Sequence, residues 1–94
     1  MKIYQSRSFE KKIRRFSKKD KSVLDGEVKK IVNNPSIGEE RKGDLKGVFV
    51  HKFKLSTTQQ LLAYRFVDAE TLELIKIGPH GNYYRDLKSY LKSK

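Results

Sequence analysis

Leu45-Lys46-Gly47-Val48-Phe49-Val50-His51-Lys52-Phe53-Lys54-Leu55 is where this chain changes from a helical to an extended period. Leu45, Phe49, His51, Phe53 and Leu55 fall on one side of a two-residue alternation, and Lys46, Val48, Val50, Lys52 and Lys54 fall on the other. Such a pattern belongs to a strand with one apolar side against a core and one cationic side away from it. Ser56-Thr57-Thr58 is the turn that follows, and Gln59 to Val67, rich in Leu, Tyr and Phe, is the next strand. Asp68-Ala69-Glu70 turns again into a strand from Thr71 to Ile77. Three consecutive strands with short connections form an antiparallel meander.

Upstream, Lys2 to Ser6 reads as a short strand carrying Ile3 and Tyr4. A helix follows, with Ser8 as its expected N-cap, because Phe9, Ile13 and Phe16 recur at i, i+4 and i+7. A second helix, with Asp20 as expected cap, carries the stripe Leu24, Val28, Ile31 and Val32 until Asn33-Asn34-Pro35 stops it. Ser36 to Gly43 has no period and reads as a loop. Gly78-Pro79 ends the last strand, and from His80 onward Tyr83, Leu87, Tyr90 and Leu91 restore a helical stripe. The order β-α-α-β-β-β-α predicts one α+β domain over residues 1–94. Its antiparallel meander sheet has a helical hairpin on one face and a C-terminal helix, and the sheet's other face is expected to be open.

The chain has 94 residues, and its 22 Lys and Arg against 11 Asp and Glu give a net charge of +11. So strong an excess favours a polyanionic partner, since each neutralised phosphate releases condensed counterions. A solvated, solubilising surface is the competing explanation. There is no Cys, which removes disulfides, thiolate metal sites and a Cys nucleophile. The start of the chain turns polar at once, and no window approaches the ~18 apolar residues of a membrane span. A cytoplasmic protein without membrane contact is the expectation.

Lys52 and Lys54 share the strand face opposite Phe49, Phe53 and Leu55. Arg65 alternates with Leu62, Tyr64 and Phe66, so it is expected on the open side with Leu61, Ala63 and Val67. That grouping would hold a phosphate, although a solvated sheet face fits the same spacing. His51 and His80 are the only histidines. They lie far apart, without Cys and without a His-Glu-x-x-His arrangement, so the sequence carries no metal signature and calls for no cofactor. His51 sits on the apolar side of its strand and reads as packed. His80 follows Gly78-Pro79 at a strand-to-helix junction, where a side chain can point into a groove rather than into the core. Tyr84 lies four residues on, in step with His80 and also with Leu87 and Leu91, so it is either a site residue or a core aromatic. Tyr83 and Tyr90 read first as packing residues.

These stretches resemble the RelE/ParE superfamily of toxins from type II toxin–antitoxin systems. Lys42 through Phe53 is similar to the family's central strand segment, and Leu62-Ala63-Tyr64-Arg65-Phe66 to its third-strand pattern. Gly78-Pro79-His80-Gly81-Asn82-Tyr83-Tyr84-Arg85-Asp86-Leu87-Lys88 resembles the Gly-x-His-Glu-Asn-Phe-Tyr-Arg-Asp-Leu-Lys ending of one branch, with Gly81 in place of the usual Glu. The strand position that holds His in some members carries Lys54.

The resemblance implies a metal-independent messenger-RNA endoribonuclease (an mRNA interferase) that works on ribosome-bound message, inhibits translation and leaves a 2′,3′-cyclic phosphate. Arg65, His80, Tyr84 and Lys54 would be catalytic, and Lys46, Lys52, Lys76, Tyr83 and Arg85 would bind RNA. It also implies a cognate antitoxin through which oligomers form. That mechanism requires Arg65 and His80 to meet around one phosphodiester. Two rivals remain: a ParE-like inhibitor of DNA gyrase, whose basic segment from Arg85 to Lys94 contacts protein or DNA without chemistry, and a nucleic-acid-binding module without catalysis.

Overall fold

Ser6 and Ser17 start the two helices of the hairpin, because each hydroxyl accepts a hydrogen bond from the backbone N–H three residues on, Phe9 at 3.0 Å and Asp20 at 3.1 Å. The computed structural model describes residues 1–41, 43 and 47–92. Within them α1 runs Arg7–Ile13 and α2 Lys18–Asn33. The expected caps, Ser8 and Asp20, therefore lie inside the first turns. Phe16 falls in the link between the helices and still packs against the core.

The sheet has five strands, β1 (Lys2–Gln5), β2 (Glu39–Glu40), β3 (Phe49–Leu55), β4 (Thr58–Asp68) and β5 (Thr71–Gly78), in the order β1-β5-β4-β3-β2. The meander β3-β4-β5 is antiparallel as expected. β1 pairs in parallel with β5 as an edge strand. β2 is a two-residue edge strand inside the segment read as a loop; it has no apolar alternation, and it pairs through its backbone with Phe49 and Val50. The expected start of β3 at Leu45 and Lys46 lies outside the described residues.

Two cores sandwich the sheet. The hairpin covers Phe53, Leu55, Leu62, Tyr64, Leu72, Leu74 and Ile77 with Phe9, Leu24 and Ile31. Each of those three helix side chains contributes about 1.5–3 kcal/mol by leaving water. The opposite face is not open. α3 (Tyr83–Lys92) packs there through Tyr83 and Leu87 over Val48, Val50, Leu61, Ala63 and Ile75. Leu61 and Ala63 do point to that side, and the amphipathic C-terminal helix has its apolar stripe to bury on them.

A bulge in β5 sets both ends of this arrangement. Ala63 pairs with Lys76 and Tyr64 with Leu74, so Ile75 is the extra residue, and the sides on which later residues project are exchanged. The carbonyls beside it are taken up by side chains: Ile75 O accepts from the Ser6 hydroxyl, and Lys76 O from the Tyr83 hydroxyl at 2.7 Å. One irregularity thereby ties down the start of α1 and the start of α3. Tyr64, fully buried, plays a similar part for the loop after α2: its hydroxyl donates to Pro35 O at 2.7 Å and accepts from Gly38 N at 3.0 Å.

Candidate functional site

Pro79 cannot extend the β5 ladder, so the chain leaves the sheet at Gly78 and turns through His80, Gly81 and Asn82 into α3. The turn is closed by Tyr83 N donating to His80 O at 2.7 Å. Gly81 has a φ of +26°, a value that glycine adopts without the penalty a Cβ brings. His80 is thus outside the helix, exposed, with its ring edge-on to Tyr84 at 5.8 Å and 74°. The guanidinium carbon of Arg41 also lies over Tyr84, 4.4 Å from the ring centroid. Arg41 also pairs with Glu39 at 2.8 Å, and its backbone N–H donates to Val48 O.

The register brings the β3 lysines to the same end of the sheet. Lys52 pairs with Leu61, which pairs with Gly78, and Lys54 pairs with Gln59 one step beyond. Two inter-strand spacings separate Lys52 from Gly78, roughly 10 Å. Both lysines are exposed. The site is therefore an imidazole and a phenol at the head of α3, one guanidinium packed on the phenol ring, and, two strands over on β3, two exposed ammonium groups.

Arg65 is not part of it. Its Nε donates to Glu73 Oε1 at 2.6 Å, on the strand position directly opposite. Four residues of β4 separate it from Leu61, about 13 Å along the sheet. It faces a separate concavity with Lys2, Tyr4, Val67 and Asp68. The expected meeting of Arg65 with His80 does not occur, because an acidic partner in register holds Arg65 at the far end.

Tyr83, expected at RNA, is 3% exposed and anchors α3 instead. Burial pushes its phenol well above the ordinary 10.0, and a backbone hydrogen bond at Ala63 offsets only part of that. Lys76 is half-buried, with Nζ 5.9 Å from the Tyr83 ring centroid, and faces a groove on the other flank of α3. Arg85 is exposed on the outer side of the helix, 3.8 Å from Asp86. Lys46 lies outside the described residues. His51 is packed as expected: it stacks on Phe53, and its Nε2 is 2.7 Å from Glu27 Oε1. Arg41 is not legible in the sequence, since it sits in an irregular segment whose period says nothing about direction. Among the described residues no helix is long and apolar enough to cross a membrane.

The sequence model of the ParE-like toxins of type II bacterial toxin–antitoxin systems matches residues 3–88. No curated protein sequence matches the chain. Among solved structures, the fold is similar to the intact Escherichia coli RelBE toxin–antitoxin complex, with 16% identity over 85% of this chain and 96% of that one and a TM-score of 0.66. It is also similar to the isolated E. coli RelE toxin, with 15% identity over 96% and 97% of the two chains and a TM-score of 0.64. A double arginine-to-alanine variant of that toxin in the free state gives 15% identity, coverage of 98% and 94%, and a TM-score of 0.70. At such identity the likeness concerns the fold.

Proposed function

We propose, from the premise that this chain belongs to the family of ParE-like toxins of type II bacterial toxin–antitoxin systems, that it is an endoribonuclease which cuts messenger RNA on the ribosome. The observation that carries this reading is the exposed His80 ring against Tyr84, with the Arg41 guanidinium also packed on that ring. Two proton-bearing groups and a cation at one turn are what phosphodiester transfer within RNA requires.

RNA supplies its own nucleophile. The ribose 2′-hydroxyl loses its proton to His80, and its oxygen bonds to the adjacent phosphorus. The P–O5′ bond breaks, and the departing oxygen takes a proton from Tyr84. The products are a 2′,3′-cyclic phosphate and a 5′-hydroxyl. Histidine suits this exchange because the residue type titrates near neutrality. Lys52, Lys54 and Arg41 offset the charge gathering on the five-coordinate phosphate. In the mechanism proposed, Arg41 takes the place at the phosphate that the resemblance gave to Arg65, which Glu73 holds away.

The partners follow from the same reading: message and ribosome as substrate, and a cognate antitoxin whose acidic or amphipathic segment covers the cationic surface and builds the oligomer in the cytoplasm. The solved RelBE complex, a fold relative with its antitoxin bound, supports such a partner.

The test is to pulse the protein in cells and map message 5′ ends on translating ribosomes. Cuts carrying 5′-hydroxyls that vanish with His80→Ala support the reading. The commitment of Arg65 to Glu73 favours a second one, gyrase inhibition without RNA chemistry, because it removes a cation expected at the phosphate. A supercoiling assay with purified gyrase separates them: inhibition with the message intact selects the second.

A further inference from the structure

Outside the His80–Tyr84 side of α3, the structure has an open groove of about 980 Å³ between α1 and α3. Its α1 wall carries Arg7, Lys11, Lys12, Arg14 and Arg15, all exposed, and Lys76 faces it from β5. Of the five on α1 and the turn after it, Arg14 is tied to Glu10 at 3.0 Å, and no carboxylate among the described residues bridges the other four. The opposite wall is of another kind: Asn82, Asp86 and the Tyr90 ring from the α3 side, with Asp86 3.8 Å from Arg85. The floor is Ile77 and Gly78, and Pro79 and Gly81 close the end nearest His80.

The groove is built by the β5 bulge. The Ser6 hydroxyl, which caps α1, also donates to Ile75 O, and the Tyr83 hydroxyl, at the first residue of α3, donates to Lys76 O. Both walls are therefore fixed to adjacent carbonyls of one strand. Along the cationic wall, Arg7 and Lys11 stand four apart on α1, about 6 Å apart, and Arg15 continues the cationic wall from the turn after the helix.

We infer that this groove is a track for the phosphate backbone of single-stranded RNA, which reaches the His80–Tyr84 pair across Pro79–Gly81. A row of cations facing an aromatic ring and a side-chain amide is the arrangement that holds an unpaired strand: ammonium and guanidinium groups follow the phosphates, and a base lies against the ring. A volume at the top of the range for small-molecule clefts accommodates a few linked nucleotides and not a duplex face. Continuity with the turn that presents His80 favours a nucleic-acid strand over an acidic peptide. The inference extends the ribonuclease reading but is measured apart from it.

The experiment titrates a short, fluorescein-labelled, 2′-O-methylated oligouridine, which cannot be cleaved, onto the full chain by anisotropy across a salt series. Lys11→Ala with Arg15→Ala is compared with Lys19→Ala with Lys29→Ala, which removes equal charge from exposed positions of α2 outside the groove. The groove variant is expected to lower the slope of log K against log salt by about 1.4, near 0.7 per lost phosphate contact, with the control close to the parent. The charge-conserving Lys11→Arg with Arg15→Lys restores the parent slope, which rules out misfolding as the cause.

Equal slope losses in both double variants would show diffuse attraction and overturn the track. So would tighter binding of a duplex of the same sequence, or loss of an oligoglutamate peptide with RNA binding intact. Because the probe lacks the nucleophile, these outcomes are the same whether or not the protein cleaves RNA.

Discussion

Arg65 and Glu73 face each other across β4 and β5, with Nε 2.6 Å from Oε1, so the strand arginine of this chain is a structural partner before it is anything else. The Glu73 side chain is 14% exposed and that of Arg65 37%. Truncating the arginine removes one partner of a mostly buried carboxylate, while the His80 end of the sheet keeps its own cations. Arg65→Ala is therefore expected to cost about 1 kcal/mol in urea unfolding, solvent screening keeping the figure low, and to leave cleavage within roughly threefold of the parent. A loss of activity beyond a hundredfold with the fold intact would return Arg65 to the reacting phosphate.

His80 is exposed, its ring contact being to Tyr84, which separates its chemistry from its stability. His80→Ala should leave the melting temperature within roughly 2–4 °C of the parent, the reach of a ~0.5 kcal/mol surface change in a domain of this size, and lower the cleavage rate about 10² to 10⁴-fold, the range of a lost general acid or base. Cleavage at the parent rate on purified ribosomes would remove the imidazole from the mechanism.

The fold is legible in the sequence because its periods are clean. Leu62, Tyr64 and Phe66 alternate with Leu61 and Ala63, and the two sets pack into separate cores on opposite faces of β4. What does not show in the sequence is which element covers the second face. The stripe of α3 announces that it must bury something, but only the bulge at Ile75, which no residue type advertises, brings Tyr83 and the helix onto the sheet. The same limit applies to the site. Alternation gives the side on which Arg65 projects, not its cross-strand neighbour, and the acidic residue in register is a tertiary fact. Pairing His80 with Tyr84 needs only a spacing of four, and the rings do meet, although the helix starts three residues later than His80.

Gly38 is pressed against the buried tyrosine. A Cβ there would lie 2.9 Å from Tyr64 Oη and 3.0 Å from the carbonyl carbon of Val50, so neither the phenol nor the strand has room to give. Gly38→Ala is expected to destabilise by about 1–3 kcal/mol through overpacking. Tyr64→Phe, which leaves Pro35 O and Gly38 N without their shared hydroxyl, should cost about 1–2 kcal/mol. Chemical denaturation of the two variants and the double variant checks this. Since the same contact is removed in both, the double variant should lose less than the sum, and full additivity would mean that the two residues do not act on each other.

Glu27 and His51 join α2 to β3 with Oε1 and Nε2 2.7 Å apart, and Lys30 reaches the other carboxylate oxygen at 3.1 Å. Burial pushes the Glu27 carboxyl up, but the hydrogen bonds from His51 and Lys30 outweigh it and hold the group below its ordinary 4.5. A carboxyl lowered on folding binds fewer protons folded than unfolded, so its contribution is fully present above pH 4.5 and is lost as the pH falls through the folded value. Glu27→Gln should thus cost about 1.5–3 kcal/mol at pH 7, the range of a hydrogen bond to a charged group, and less as the pH falls through the folded value. Melting curves of both proteins from pH 3 to 7 test the sign. The parent and variant midpoints should converge toward the acid end, and a gap that stays constant or widens there would show that the carboxylate's charge is not what holds α2 to β3.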